Sequence, residues 1–276
     1  MTHPIGLSVV SIFPHSFLSI FGLRYAEFIA RRAGYDGLQL VPFWTYLKRD
    51  LSGLSKGGFR VLSYEGSWNG MYFDCRTFWG RVARIFTNGD FGILKDALIF
   101  GTRKRVEKLL GYFAELFPDA VQIDIDPSGV REISPHHDMT RDEWLKYKGG
   151  VVFDTHHVFE FPFIASAENP QQAACEFFSE LLERGSIRAI HIQFRDPEKL
   201  EDFLDEDLND HKDLFGKADA PDVSIGACVL SSNLPEGIPI IVEIHPEILP
   251  LGRKDKIEKL ALLRETIELF IEKPEE

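Results

Sequence analysis

The chain has 276 residues, 44% of them hydrophobic, with a formal net charge of −12 and a sequence pI near 5.3. The acidic charge argues against a nucleic-acid partner, which needs a basic stripe to displace phosphate counterions. No apolar run approaches the roughly 20 residues that span a bilayer. With no secretory signal and three scattered cysteines, we expect a soluble, cytoplasmic protein that binds neither nucleic acid nor membrane.

Short apolar strands alternate with amphipathic helices along the chain. In chain order, apolar runs predict strands at 5–13, 36–44, 59–66, 96–101, 119–127, 150–157, 187–194 and 238–244. Helical spacing of apolar residues predicts helices at 24–35, 103–117, 171–185 and 254–273. Eight strands with intervening helices predict a parallel sheet closed into a single-domain (β/α)₈ TIM barrel over 1–276. The alternative is an open doubly wound sheet, but the first turn lacks the glycine-rich dinucleotide motif.

Polar side chains stand at or near the carboxyl ends of the four late strands. They are Asp124 and Asp126, Asp154, His191 and Glu243. Because side chains alternate along a strand, those that face the barrel interior would converge at the end that carries active sites. Several carboxylates in one dry pocket repel one another, and a divalent cation relieves that repulsion. Oxygen ligands with one imidazole suit Mn²⁺, Mg²⁺ or Co²⁺, and Zn²⁺ is an alternative.

Four motifs in this order resemble the xylose isomerase-like barrel superfamily, which includes sugar phosphate isomerases and epimerases. "VVFDTHH" (151–157) resembles its hydrophobic-Asp-Thr-x-His signature, and "AIHIQFRD" (189–196) its histidine-bearing strand. "PIIVEIHP" (239–246) resembles its final glutamate strand, and "IDIDP" (123–127) its fifth strand, where a glutamate is usual. The resemblance covers essentially the whole chain.

The resemblance implies one divalent metal ion held by Asp124, Asp154, His191 and Glu243. It also implies that Asp124 and Glu243 act as the catalytic acid and base beside a metal-polarised carbonyl. Asp126 is a rival to Asp124, because an aspartate reaches less far than the usual glutamate. His157, three residues after Asp154, matches a histidine that binds substrate in the sugar enzymes or metal in the multi-zinc ones. His157 is therefore a further catalytic candidate, and we expect it and Glu65 to contact the substrate or relay protons.

Further residues are candidates for contact with a small-molecule substrate: Glu65, Trp68, Trp44 and Arg195. The two tryptophans follow predicted strands and could stack on the C–H face of a sugar. Arg195 could bind a hydroxyl or carboxylate, or form an ion pair at the surface. The absence of histidines from the third and fourth predicted strands argues against the multi-zinc nuclease members of the superfamily.

The sequence therefore predicts a metal-dependent isomerase or epimerase that acts on a small sugar, polyol or hydroxy-carbonyl compound. A metal-dependent hydrolase or a dehydratase or lyase would use the same site differently, because a shared fold does not fix the reaction. A third alternative is a barrel that binds a ligand or partner without turnover. Assembly into a homo-oligomer stays open, since no segment marks an interface.

Overall fold

A computed structural model describes most of the chain and places it in an α/β barrel. The described residues are 3–12, 22–41, 48–66, 107–126, 128–134, 137–194, 221–244, 248–250 and 252–272. Eight strands, all paired in parallel, form one sheet in the order β4-β3-β2-β1-β8-β7-β6-β5. In chain order, the strands β1 to β8 are Ile5–Ser8, Gly37–Leu40, Arg60–Glu65, Val121–Ile123, Arg131–Glu132, Val151–Asp154, Ile187–Phe194 and Ile240–Ile244.

The two ends of this sheet meet, which nearly closes the barrel. A parallel bridge joins Ile123 at the end of β4 to Val130, just before β5. The Asp124 amide donates to the Val130 carbonyl oxygen at 2.9 Å across this junction. The predicted (β/α)₈ barrel is thereby confirmed.

Helices lie between most of the strands, and four of them overlap the helices predicted at 24–35, 103–117, 171–185 and 254–273. In chain order they are α1 Gly22–Arg32, α2 Lys48–Lys56, α3 at 107–116, α4 Arg141–Lys146, α5 Pro162–Ala165, α6 Pro170–Glu183, α7 Pro221–Leu230 and α8 Arg253–Glu272. The Asn169 side chain caps α6 by accepting from the Gln172 amide, and Pro170 occupies its first turn. After α1 and α6, Gly34 and Gly185 adopt positive φ angles of 85° and 64°, which end the helices at low steric cost.

The outward faces of the strands pack against the helices and build the main core. Phe153 of β6, for example, packs edge-on against Phe178 of α6 with ring centroids 4.8 Å apart. Inside the barrel, Gly6 leaves room for neighbouring side chains. A Cβ at Gly6 would lie 2.8 Å from the terminal carbons of both Ile241 and Leu62. The apolar interior therefore fills the lower part of the barrel and leaves the carboxyl ends of the strands to polar residues.

One part of the predicted strand order is wrong. Segment 119–127 supplies β4 rather than the fifth strand, because Val121–Ile123 pairs directly with β3. The fifth strand is the two-residue segment Arg131–Glu132, which is too short to show an alternating pattern in the sequence. The predicted strand at 96–101 lies outside the described residues.

Candidate metal centre

The polar residues of β6, β7 and β8 face the barrel interior at its carboxyl end. His191 lies opposite Asp154 in the β6–β7 register, and Gln193 lies opposite Glu243 in the β7–β8 register. Ile190 and Ile192 alternate with them and belong to the outer core. The apolar outward face of β7 thus fixes which side of the strand carries His191 and Gln193.

Four carboxylate side chains bring metal-ligand atoms together around His191. In one group, ligand atoms of Glu65, His191 and Glu243 lie within 4.8 Å of one another, and in a second, those of Glu132, Asp154 and His191 do so. His191 Nδ1 is 2.5 Å from Glu132 Oε1 and 3.7 Å from Asp154 Oδ2. The wholly buried imidazole therefore has carboxylates on both sides.

Asp154 is held so that only one of its oxygens is free to face the centre. Its Oδ1 accepts from the backbone amides of His156 at 2.8 Å and His157 at 2.7 Å. Its Oδ2 is buried without a hydrogen-bond partner among the described residues. Burial opposes ionisation of Asp154, but His191 and the charge of His157 outweigh it and lower its pKa. Asp154 is thus a carboxylate aimed at the space beside His191.

Two buried amides orient the carboxylates of β3 and β8. Gln39 donates to Glu65 Oε1 at 2.7 Å, and its Nε2 also lies 3.0 Å from His191 Nε2. Gln193 donates to Glu243 Oε1 at 2.9 Å. Each amide is itself buried, so its geometry is fixed by the barrel wall rather than by solvent.

The arrangement of charged groups at this centre favours a bound cation. Burial first, and then the charges of Glu132 and Glu243, raise the pKa of Glu65 well above its ordinary value. Burial likewise raises the pKa of Glu243, with His191 opposing and the other carboxylates adding to the effect. Burial disfavours the charged form of His191, yet Glu132 and Asp154 raise its pKa well above the ordinary value. Four carboxyl groups thus surround one imidazole, and a bound cation would favour their ionised forms.

This donor set fits a divalent metal ion. Carboxylate oxygens with one imidazole nitrogen are the ligands of Mg²⁺, Mn²⁺, Co²⁺ and Zn²⁺ sites. The buried Oδ2 of Asp154, which lacks a hydrogen-bond partner among the described residues, is an independent sign that this carboxylate suits a ligand beside His191. A metal ion could be held here by side chains from β5, β6, β7 and β8, with Glu65 of β3 beside them.

Asp124 does not join either group of ligand atoms. It follows β4 with φ at 54°, so the alternation that would align it with Gln122 ends there. Its Oδ1 lies 2.9 Å from His137 Nε2. Asp126, its rival, is exposed and accepts from the amide and hydroxyl of Ser128. Glu132 of β5, which the sequence did not single out, contributes the carboxylate that groups with Asp154 and His191.

The remaining predicted residues divide into those near the centre and those outside the described ranges. His157 lies against Glu160, with Nδ1 2.8 Å from the Glu160 carboxylate. Burial disfavours its charged form, but Asp154 and Glu160 raise its pKa. Glu65 lies within the group around His191. Trp44, Trp68 and Arg195 fall outside the described residues, and their roles stay predictions.

Comparisons with known proteins leave the site to be interpreted from its own geometry. No protein-family model matches the chain, and no curated protein matches it at a significant level of similarity. Within the described ranges, every helix is too short or too polar to cross a membrane.

Proposed function

We propose that the chain is a divalent-metal-dependent isomerase or epimerase that acts on a small sugar, polyol or other hydroxy-carbonyl compound. The observation that carries the proposal is the convergence of carboxylates on His191 at the carboxyl end of the barrel. The resemblance of the strand motifs to the xylose isomerase-like superfamily supports the same reaction class.

Glu132, Asp154, His191 and Glu243 are the proposed metal ligands. Each comes from a different neighbouring strand, and His191 lies closest to Glu132. A divalent ion at this position would draw electron density from substrate oxygens and make the adjacent C–H bond more acidic. Asp124, the ligand implied by the sequence motif, is replaced by Glu132 in this proposal.

Two carboxylates of the centre, Glu65 and the proposed ligand Glu243, supply the proton transfer. Glu65 and Glu243 both have raised pKa values, and a carboxylate works best as a proton carrier when its pKa lies near the working pH. Gln39 and Gln193 fix the direction of these two carboxylates through hydrogen bonds. In an isomerisation one carboxylate would take the carbon-bound proton and return it to the neighbouring carbon. In an epimerisation the other carboxylate would return a proton to the opposite face of the same carbon, and in both cases His157 would contact the substrate.

Proton exchange tests this proposal directly. The Mn²⁺-loaded protein is incubated in D₂O with a panel of trioses, pentoses and hexoses in aldose and ketose forms. Proton NMR then follows the hydrogen next to the carbonyl. We expect at least one compound to lose this signal, and Glu243→Gln to stop the loss while the exposed control Glu115→Gln does not.

The alternatives give different results in the same experiment. A hydrolase, or a barrel that binds without turnover, would leave the carbon-bound proton of every panel compound in place. A dehydratase or lyase can also exchange this proton, but it would give an eliminated or cleaved product with its own NMR signals. Complete retention of that proton by a protein shown to carry its metal would therefore overturn the proposed function.

A further inference from the structure

A mostly buried carboxylate–imidazole pair lies at the same end of the barrel, outside both groups of ligand atoms. Asp124 Oδ1 and His137 Nε2 are 2.9 Å apart, and their side chains are only 11% and 20% exposed. The ring N–H is not aligned for a linear hydrogen bond, as is common for acid–base pairs before substrate binds. Neither residue of the pair is a ligand in the proposed metal site.

The backbone around this pair holds it in place. Asp124 and Asp138 are the two non-glycine residues with positive φ in the part of the chain that the structure describes, at 54° and 44°. One carries the carboxylate of the pair and the other directly follows its histidine. Side chains with a Cβ adopt this conformation at a cost, and such residues cluster at functional sites.

His137 is also fixed through its ring. The ring meets Trp144 edge-on, with centroids 5.8 Å apart and an interplanar angle of 83°. Trp144 is wholly buried, so it forms a rigid wall. Nε2 faces Asp124 Oδ1 at 2.9 Å. The Asp124 carboxylate and the Trp144 ring together set the direction of the imidazole.

The pair borders the candidate metal centre. Gly66 directly follows Glu65, and a Cβ at Gly66 would lie 2.9 Å from the carbonyl oxygen of Asp124. The Gly66 amide donates to the Ile123 carbonyl at 2.7 Å, which ties the ends of β3 and β4 together. The charge of Asp124 reaches the carboxyl of Glu65 and contributes to its raised pKa.

We propose that His137, oriented by Asp124, is a second proton carrier of this site and serves a substrate oxygen. The inference rests on the proposed function. Isomerisation needs two proton transfers in each half of the reaction, one at carbon and one at oxygen. As a carboxylate takes the carbon-bound proton, the His137 imidazolium donates a proton to the carbonyl oxygen, which leaves an enediol.

The second half reverses these transfers at the neighbouring atoms. His137 takes the proton of the other hydroxyl, the carbonyl re-forms at that carbon, and the carboxylate returns its proton to the first carbonyl carbon. Protons balance and no oxidant is consumed. His137 is the catalytic residue in this scheme, and Asp124 is a positioning residue that acts through it.

The experiment compares His137→Gln, His137→Ala and Asp124→Asn with Asp126→Asn as the matched control. Each Mn²⁺-loaded variant is assayed with the panel compound that exchanges fastest in the unchanged protein. We expect His137→Gln to lower kcat by about 10²- to 10⁴-fold, the usual contribution of one acid–base group, with KM and metal content retained. Added imidazole should restore part of the His137→Ala activity, and Asp126→Asn should behave like the unchanged protein.

The outcomes separate this inference from the proposed function. If the unchanged protein exchanges no panel compound, the proposed function is overturned and this inference with it. If the protein is active and His137→Gln keeps kcat within about threefold, only the role of His137 is overturned. Loss of the metal from Asp124→Asn and His137→Gln would overturn it as well, since the pair would then support the metal rather than the substrate.

Discussion

Glu65→Gln should make the metal-free protein more stable while it weakens metal binding. The ligand atoms of Glu65 and Glu243 lie within 4.8 Å of each other, among other carboxylates. At that separation and an effective dielectric constant of about 20, two ionised carboxylates repel by about 3 kcal/mol. The neutral amide removes this repulsion, and part of it is already relieved by protonation. We therefore expect the free energy of unfolding to rise by about 1–3 kcal/mol at pH 8.

Urea unfolding followed by circular dichroism, with EDTA present, measures this change, and calorimetric titration with Mn²⁺ measures the affinity. The affinity should fall at least about tenfold, equivalent to 1.4 kcal/mol. Glu115→Gln is the control, because Glu115 is 60% exposed in a surface ion pair with Lys48. Its effect on stability should stay within about 0.5 kcal/mol. A Glu65→Gln protein that is less stable without metal, or that binds Mn²⁺ as tightly as before, would refute the electrostatic reasoning.

Three further predictions concern pH and packing. Because the pKa of His191 is raised, its stabilising contribution is complete below the ordinary pKa of 6.5 and is lost as the pH rises through the raised pKa. In EDTA the melting temperature should therefore fall over that pH range. Bound Mn²⁺ should abolish this fall in melting temperature. Gly6→Ala should lower the free energy of unfolding by about 1–3 kcal/mol, because the added Cβ would overlap the side chains of Ile241 and Leu62. Gly111→Ala should raise the free energy of unfolding by about 0.5–1 kcal/mol, because Gly111 lies in a helix with open space beside it. Phe178→Ala should cost about 3–5 kcal/mol in urea unfolding, because the ring is fully buried against Phe153.

The late half of the barrel could be predicted because its strands carry a strong local pattern. β6 and β7 are apolar runs bounded by glycine and loop residues, and each carries a polar residue whose face follows from strict alternation. Asp154, His191 and Glu243 were placed on one end of the barrel by this argument alone. Their mutual approach follows from the parallel pairing of β6, β7 and β8, which places the carboxyl ends of these strands side by side.

The fifth strand could not be found in this way. Arg131–Glu132 has only two residues, so neither alternation nor β-propensity distinguishes it from a loop, and Glu132 was missed. Asp124 was favoured because it follows a visible apolar run, but the positive φ at that residue ends the strand pattern. The one available signal was the resemblance of the strand motifs, which implies a glutamate rather than an aspartate on the fifth strand. Gln39 was missed because the sequence does not indicate which side chain a single amide in an apolar strand will contact.

The position of the metal centre is tested most directly by the metal content of the unchanged protein, Asp124→Asn and Glu132→Gln. Each protein is incubated with Mn²⁺ and then freed of unbound ion. Elemental analysis should find about one Mn²⁺ per chain in the unchanged protein and in Asp124→Asn, and little or none in Glu132→Gln. That result would support a centre built on Glu132, Asp154, His191 and Glu243. An unchanged protein that binds no metal, or a metal lost in Asp124→Asn and kept in Glu132→Gln, would contradict it.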